Sequence, residues 1–148
     1  MNDYIIYILK LQDMFDKKEQ IINMLNKYYK KIGRDIIDAE GLYCSLIDRF
    51  NNGSILFLSW NNFNGFLTCD FQLNPIKQRL EGIVWTVYNP DPKYKAKVLN
   101  FLEIEAKKRQ IDSLVFFAEN PEVFNRLVKS QGYEMTLGYF EKDLRGKQ

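Results

Sequence analysis

The sequence of 148 residues, 46% of them hydrophobic and 15% aromatic, suits one domain folding around a single core and is too apolar for a disordered chain. A formal net charge of +2, with 27% charged residues, gives an ordinary surface without the one-sided basic excess of a nucleic-acid-binding protein. Histidine is absent, so the commonest metal ligand and neutral-pH base are missing, and neither a metal site nor Ser-His-Asp or Cys-His catalysis is expected.

The first element is the β-branched, aromatic run "YIIYILKL" (4–11), which reads as a strand. Its apolar part is too short, and lacks the basic flank, for a signal or membrane segment, so a cytoplasmic protein is expected. "DKKEQIINMLNKYYKK" then sets Asp16 and Glu19 at capping-box spacing and Ile21, Ile22, Leu25, Tyr28 and Tyr29 at helical intervals, with Gly33 ending the helix. "DAEGLYCSLIDRF" (38–50) repeats the pattern, with Asp38 as cap and Leu42, Cys44, Leu46, Ile47 and Phe50 as its apolar side. Cys44 and Cys69 both fall in segments that read as core, which predicts buried free thiols in a reducing compartment.

"SILFLSW" (54–60) and "FLTCDFQ" (66–72), joined by "NNFNG", predict a hairpin, and "EGIVWTVY" (81–88) a further strand. A helix over 93–109 leads to "SLVFFA" (113–118), which reads as a strand buried on both faces. Asn120 as cap, Pro121 at the first helical position and Gly132 as stop frame another helix, and "YEMTLGYFEKDL" (133–144) closes as a strand. The expected order is β-α-α-β-β-β-α-β-α-β, an α/β fold with a mixed sheet over 1–148 as a single domain.

This order, with the pieces "IVWTVYNP", "KYKAKVLNFLEIEAKKRQ", "SLVFFAEN", "PEVFNRLVKSQ" and "GYEMTLGYFEKDL", resembles the GNAT (Gcn5-related N-acetyltransferase) superfamily, most strongly over 81–144. The resemblance implies an acyl-CoA cleft where the fourth and fifth strands part, with pantetheine on the backbone of Trp85, Thr86 and Val87. It implies pyrophosphate on the following helix start at Lys95, Ala96, Lys97 and Val98, where unpaired N–H groups and the helix dipole favour an anion, and it implies Asn120 at the end of the fifth strand. The reaction implied is direct attack of an amine on the thioester of acetyl-CoA, helped by a carboxylate or a water-relayed base, with a tyrosine protonating the thiolate.

Two motifs depart from that pattern. The family's turn reads roughly Arg/Gln-x-x-Gly-x-Gly/Ala, whereas Lys95, Val98 and Asn100 stand at its fixed positions, and a one- or two-residue shift to Ala96 or Lys97 still finds no glycine. A branched Val98 is expected to narrow the phosphate nest, for glycine lets backbone approach a pyrophosphate. Lys93, Lys95 and Lys97 either compensate as point charges or form a solvated face. The expected tyrosine position carries Leu127 or Val128, neither of which donates a proton.

Glu81 and Glu119 at the ends of the fourth and fifth strands, and Tyr88 where the fourth strand is expected to bend, are the candidate bases, against solvation of each glutamate and packing of the tyrosine. Asp35, Asp38 and Glu40 lie where the family admits substrate, though Asp38 also fits as a helix cap. Trp60, Trp85, Phe63, Phe66 and Phe71 read as core or hairpin surface rather than as a base-stacking platform. Two functions therefore stand. The missing motifs favour a GNAT-like chain that has given up acyl transfer and serves as a binding or structural subunit, in the manner of degenerate bacteriophage proteins and compatible with incorporation in a virus particle. The alternative is an acyl-CoA-dependent N-acetyltransferase with a divergent, lysine-rich turn. A protein partner or homo-oligomer is expected, through the edges at 61–65 and the last strand; neither a membrane nor nucleic acid is expected as a partner.

Overall fold

Four antiparallel strands and one parallel strand make a sheet whose spatial order follows the chain: β1 (Ile6–Ile8), β2 (Ile55–Trp60), β3 (Gly65–Asn74), β4 (Arg79–Tyr88) and β5 (Ser113–Phe116), with β4 and β5 the parallel pair. The computed structural model describes residues 6–32 and 39–116. The chain divides into two compact units, Met1–Phe116 and Phe117–Gln148, and the architecture given is that of the first. The helix expected after Asn120 and the closing strand 133–144 lie outside the described residues, as do Asp35, Asp38, Glu119, Leu127 and Val128.

Between β1 and β2 the chain forms α1 (Leu11–Asp16), α2 (Lys18–Ile32) and α3 (Ala39–Asn51), one helix more than expected. The first strand stops early because Leu9 turns into the core and the Lys10 N–H donates to Asp13 Oδ2 at 2.8 Å. This caps a helix at Lys10, well before Asp16 was expected to start one, since half a capping box is already satisfied at Asp13. In α3 the buried stripe is Ala39, Tyr43 and Leu46, with Leu42, Ile47 and Phe50 packed beside it. Cys44, expected to be buried, falls off that stripe and is exposed; Cys69, in β3, is buried. Gly53 follows α3 with φ of 69°, and its N–H donates to the Phe50 carbonyl at 3.0 Å, a left-handed helix stop that suits glycine.

Strand alternation divides the core. Ile55, Phe57 and Phe66 point to one face and meet Met14, Ile21, Met24, Leu25, Tyr43 and Leu46 from the three helices. Leu56, Leu58, Trp60, Leu67, Cys69 and Val84 point to the other and meet Tyr94, Val98 and Leu102, the last two on α4 (Lys95–Lys108). β2 is buried along its whole length, as a central strand covered on both faces must be. β5 was expected to be enclosed in the same way, but its four residues are half-buried.

The turn between β2 and β3 carries Asn61, Asn62 and Phe63 at φ of 53°, 53° and 63°. Asparagine tolerates that region, phenylalanine much less, and the Phe63 ring is held by stacking on Tyr7 at 6.5 Å and by the helix-side core. Directly after it, Gly65 faces Trp60 across the ladder, and a Cβ there would lie 2.3 Å from the indole nitrogen. Only glycine lets the indole lie flat against the strand. Trp60 Nε1–H then reaches Asn89 Oδ1 at 3.3 Å, tying the far end of β4 to the hairpin.

Candidate functional site

β4 changes character at one residue. The β3–β4 register runs from Asn74 opposite Arg79 to Cys69 opposite Val84, then resumes with Thr68 opposite Thr86, so Trp85 is an extra residue in a β-bulge. A bulge bends its strand and sharpens the local twist. The bend was expected at Tyr88; the structure places the irregularity earlier in the strand, at Trp85. Up to Val84 the strand is also laddered with β5, Glu81 opposite Ser113 through Val84 opposite Phe116. Beyond the bulge Thr86, Val87 and Tyr88 pair with Thr68, Leu67 and Phe66 of β3, and the Thr68 and Thr86 hydroxyls are hydrogen-bonded to each other. Trp85 and Val87 are exposed, at 45% and 43%.

The strand leads through Asn89 into a 3₁₀ turn (Pro92–Tyr94) and then α4. Asp91 builds that turn: its Oδ1 accepts the Lys93 N–H at 3.1 Å and its carbonyl the Tyr94 N–H at 3.2 Å, while the Lys95 N–H goes to the Pro92 carbonyl. Lys93 returns to Asp91 with Nζ 3.6 Å from Oδ2 and lies over the Tyr94 ring. Tyr94 itself is buried in the core, which fixes where the helix begins.

Val98 corrects the sequence reading of this turn. It is 4% exposed and packs among Leu56, Trp60 and Tyr94, on the sheet side of α4 and beyond the turn. Its branched side chain is therefore a core anchor and does not narrow a nest on the outside of the helix. The outward positions are Ala96, Lys97 and Asn100, all exposed. A small side chain and a set of cations at a helix start fit an anionic phosphate chain, even though glycine is absent.

The candidate bases separate. Glu81 stands at the first β4–β5 pair, at the opposite end of the ladder from the bulge, buried and accepting from Asn74 Nδ2 at 3.1 Å. Tyr88 ends β4, half-buried against Phe66, with Lys31 Nζ 5.7 Å from its ring centre. The structure thus brings Trp85, Thr86, Val87 and Tyr88 into one strand half, leading through the turn to the start of α4 with Lys95, Ala96 and Lys97, and leaves Glu81 apart.

One titratable group went unnoticed in the sequence. Asp70, opposite Ile83 on β3, has Oδ2 3.4 Å from Arg49 Nη1 of α3. Burial pushes its carboxyl above the usual aspartate range, against the opposing pulls of the Arg49 guanidinium and the Trp85 indole N–H. The lone charge inside "FLTCDFQ" was its only trace in the sequence. Next to it, burial, reinforced by the Asp70 charge, pushes the Cys69 thiol up to about 12, so it is an inert thiol rather than a nucleophile.

No protein-family model matches the sequence, and no curated protein matches it. Solved structures do match in shape. A GNAT family acetyltransferase of Staphylococcus aureus superposes with a TM-score of 0.70 over 95% of this chain and 98% of its own, at 18% identity. The ribosomal-protein-alanine N-acetyltransferase of Brucella melitensis gives 0.70 over 95% and 99%, also at 18%. A predicted acetyltransferase of Clostridium acetobutylicum, solved with acetyl-CoA, gives 0.73 over 95% and 96%, at 17%. The chain has the fold of the GNAT acetyltransferases.

Proposed function

We propose that the protein is an acyl-CoA-dependent N-acyltransferase, with the coenzyme laid along 85–88 of β4 and its phosphates at the start of α4. The observation that carries this reading is the inward position of Val98, which removes the obstruction the missing glycine was expected to create. Support also comes from the bulge at Trp85, which sets the second half of β4 apart from the part laddered to β5. The backbone of Trp85, Thr86 and Val87 would hold the pantetheine arm. Lys95, Ala96 and Lys97, with the Val98 backbone, would take the pyrophosphate. Bound acyl-CoA supplies a thioester whose carbonyl carbon an amine attacks, so that the C–S bond breaks, an amide forms and the sulfur leaves as CoA thiol. Tyr88, the last residue of that half of β4, is the candidate base there among the described residues; Glu81 is assigned to the hairpin it braces.

A binding or structural subunit without acyl transfer is the second reading, favoured by the engagement of the Lys93, Tyr94 and Lys95 N–H groups within the turn. Calorimetric titration with acetyl-CoA and free CoA at moderate salt separates the two. Micromolar binding that Lys95→Glu with Lys97→Glu abolishes is expected for the transferase, followed by thiol release with an amine panel. Absence of heat up to millimolar coenzyme would leave the subunit reading.

A further inference from the structure

The β3–β4 hairpin ends in a surface that neither the fold nor the coenzyme site uses. Leu73, Ile76 and Leu80 are 61%, 91% and 39% exposed. Leu73 and Leu80 face each other across the ladder and so share one side of the hairpin, with Ile76 in the turn beyond them. The turn is firmly built. Asn74 Oδ1 accepts the N–H groups of Ile76 and Lys77 at 3.0 and 3.1 Å, Gln78 takes a φ of 51°, and Asn74 is itself held by the buried Glu81. Ile76 is thereby presented to solvent by its own scaffold, which scattered surface apolar residues are not.

Charge selects the occupant. Residues 71–80 contain no carboxylate, and Lys77 and Arg79 are both exposed. Leu80 exchanges hydrogen bonds with Asp112, donating to its Oδ2 at 2.8 Å and accepting its N–H at 2.9 Å, which brings the end of α4 with Lys107, Lys108 and Arg109 to the same end of the sheet. Among the described residues three carboxylates lie there too, Glu81 held by Asn74, Asp112 by Leu80 and Glu105 paired with Lys108 at 3.2 Å, so the excess of positive charge rests on Lys77, Arg79, Lys107 and Arg109. A second copy meeting tip to tip would set Lys77 and Arg79 against their own equivalents. Three aliphatic side chains at a projecting turn, collared by cations on long apolar stems, match a lipid interface with anionic headgroups.

We propose that the tip of the β3–β4 hairpin docks the protein on an anionic membrane surface. Contact would be peripheral, for no described helix is long and apolar enough to cross a membrane. The sequence expectation of no membrane partner rested on that same absence of a span, which does not bear on a docking tip.

Flotation with vesicles of phosphatidylcholine alone, and of phosphatidylcholine with phosphatidylglycerol, tests this on the full chain, on Ile76→Ser and on the double variant Lys77→Glu, Arg79→Glu. These side chains are exposed, so unchanged thermal melts are expected for both variants. The native protein is expected to float only with the anionic vesicles and to release as salt rises, and each variant to lose about tenfold in partitioning. No flotation with anionic vesicles, or flotation that Ile76→Ser leaves intact, overturns the proposal. So does a lipid-free dimer in sedimentation velocity that Ile76→Ser abolishes, since that assigns the tip to a second copy. None of these outcomes depends on coenzyme binding.

Discussion

The two halves of β4 are one strand in different company. Residues 81–84 are laddered to β3 on one side and β5 on the other, and Glu81, Gly82 and Val84 are buried. Residues 85–88 follow a bulge, pair with β3, and expose Trp85 and Val87. The first half holds the sheet together; the second is shaped by one inserted residue to do something else. A bulge separates them at low cost because it re-aims backbone without changing which face the flanking side chains occupy. Val84 and Val87 still share the α4-side face of their partners Cys69 and Leu67, and Tyr88 still reaches the helix-side aromatics.

The largest test of this division lies at Val98. If its side chain is core, Val98→Gly removes a buried side chain and adds a helix-interior glycine, together costing about 2–4 kcal/mol. If it blocks a phosphate nest, the same change improves coenzyme binding with little loss of stability. Urea unfolding and a CoA titration on one sample separate the two, and the structure predicts a lower midpoint with no tighter binding. Next in size is a matched pair inside β4. A Cβ at Gly82 would meet Leu114 at 2.9 Å and the Cys69 sulfur at 3.0 Å, so Gly82→Val is expected to cost about 1–3 kcal/mol by overpacking the β4–β5 junction. Val87→Thr, in the exposed half, should stay within about 0.5 kcal/mol. Equal effects would erase the distinction between the halves.

A smaller effect is expected from deleting Trp85. Removing the extra residue lets Thr68–Thr86 pairing follow directly on Cys69–Val84, with every side chain on its present face. The fold should therefore survive, with an unchanged far-ultraviolet spectrum. If the bulge shapes the coenzyme edge, affinity for acetyl-CoA falls about tenfold, equivalent to about 1.4 kcal/mol. Undiminished binding would show that the bend has no part in the site.

Much of this was readable in the chain. The β2–β3 hairpin, the long helix after β4 and the order of strands follow from alternation, Asn-Gly turns and helical spacing, which are local properties. What escaped were features that depend on a neighbour. α1 exists because the Asp13 carboxylate reaches the Lys10 N–H, whereas the sequence reading looked only to Asp16 and Glu19 for a helix start. The bulge at Trp85 is a mismatch between two strands, and neither strand shows it alone. Val98 looked like a blocked turn because alignment supplies position along the helix but not the direction of the side chain. That direction was fixed by Tyr94, Leu56 and Trp60. Glu81 was a candidate base, weighed against a solvated strand end, from its place in the sequence, and its hydrogen bond from Asn74 at the hairpin tip is a contact only the structure shows.

The finest test sits where the halves meet. Asp70 lies opposite Ile83, beside the Trp85 bulge, and burial holds its carboxyl above the ordinary 3.8. The folded state thus keeps this proton to higher pH than the unfolded chain does. The contribution to stability is full below 3.8 and is lost as pH rises through the raised folded value. Asp70→Asn removes that loss but also leaves Arg49 without its partner; at 33% exposure the guanidinium can turn to water, and such pairs contribute about 0–1 kcal/mol. Melting temperatures of both proteins across this acid range should therefore diverge in favour of the asparagine variant as pH increases. Divergence in the other direction would mean that the Arg49 pair outweighs desolvation, and that the junction is held by the charge rather than merely tolerating it.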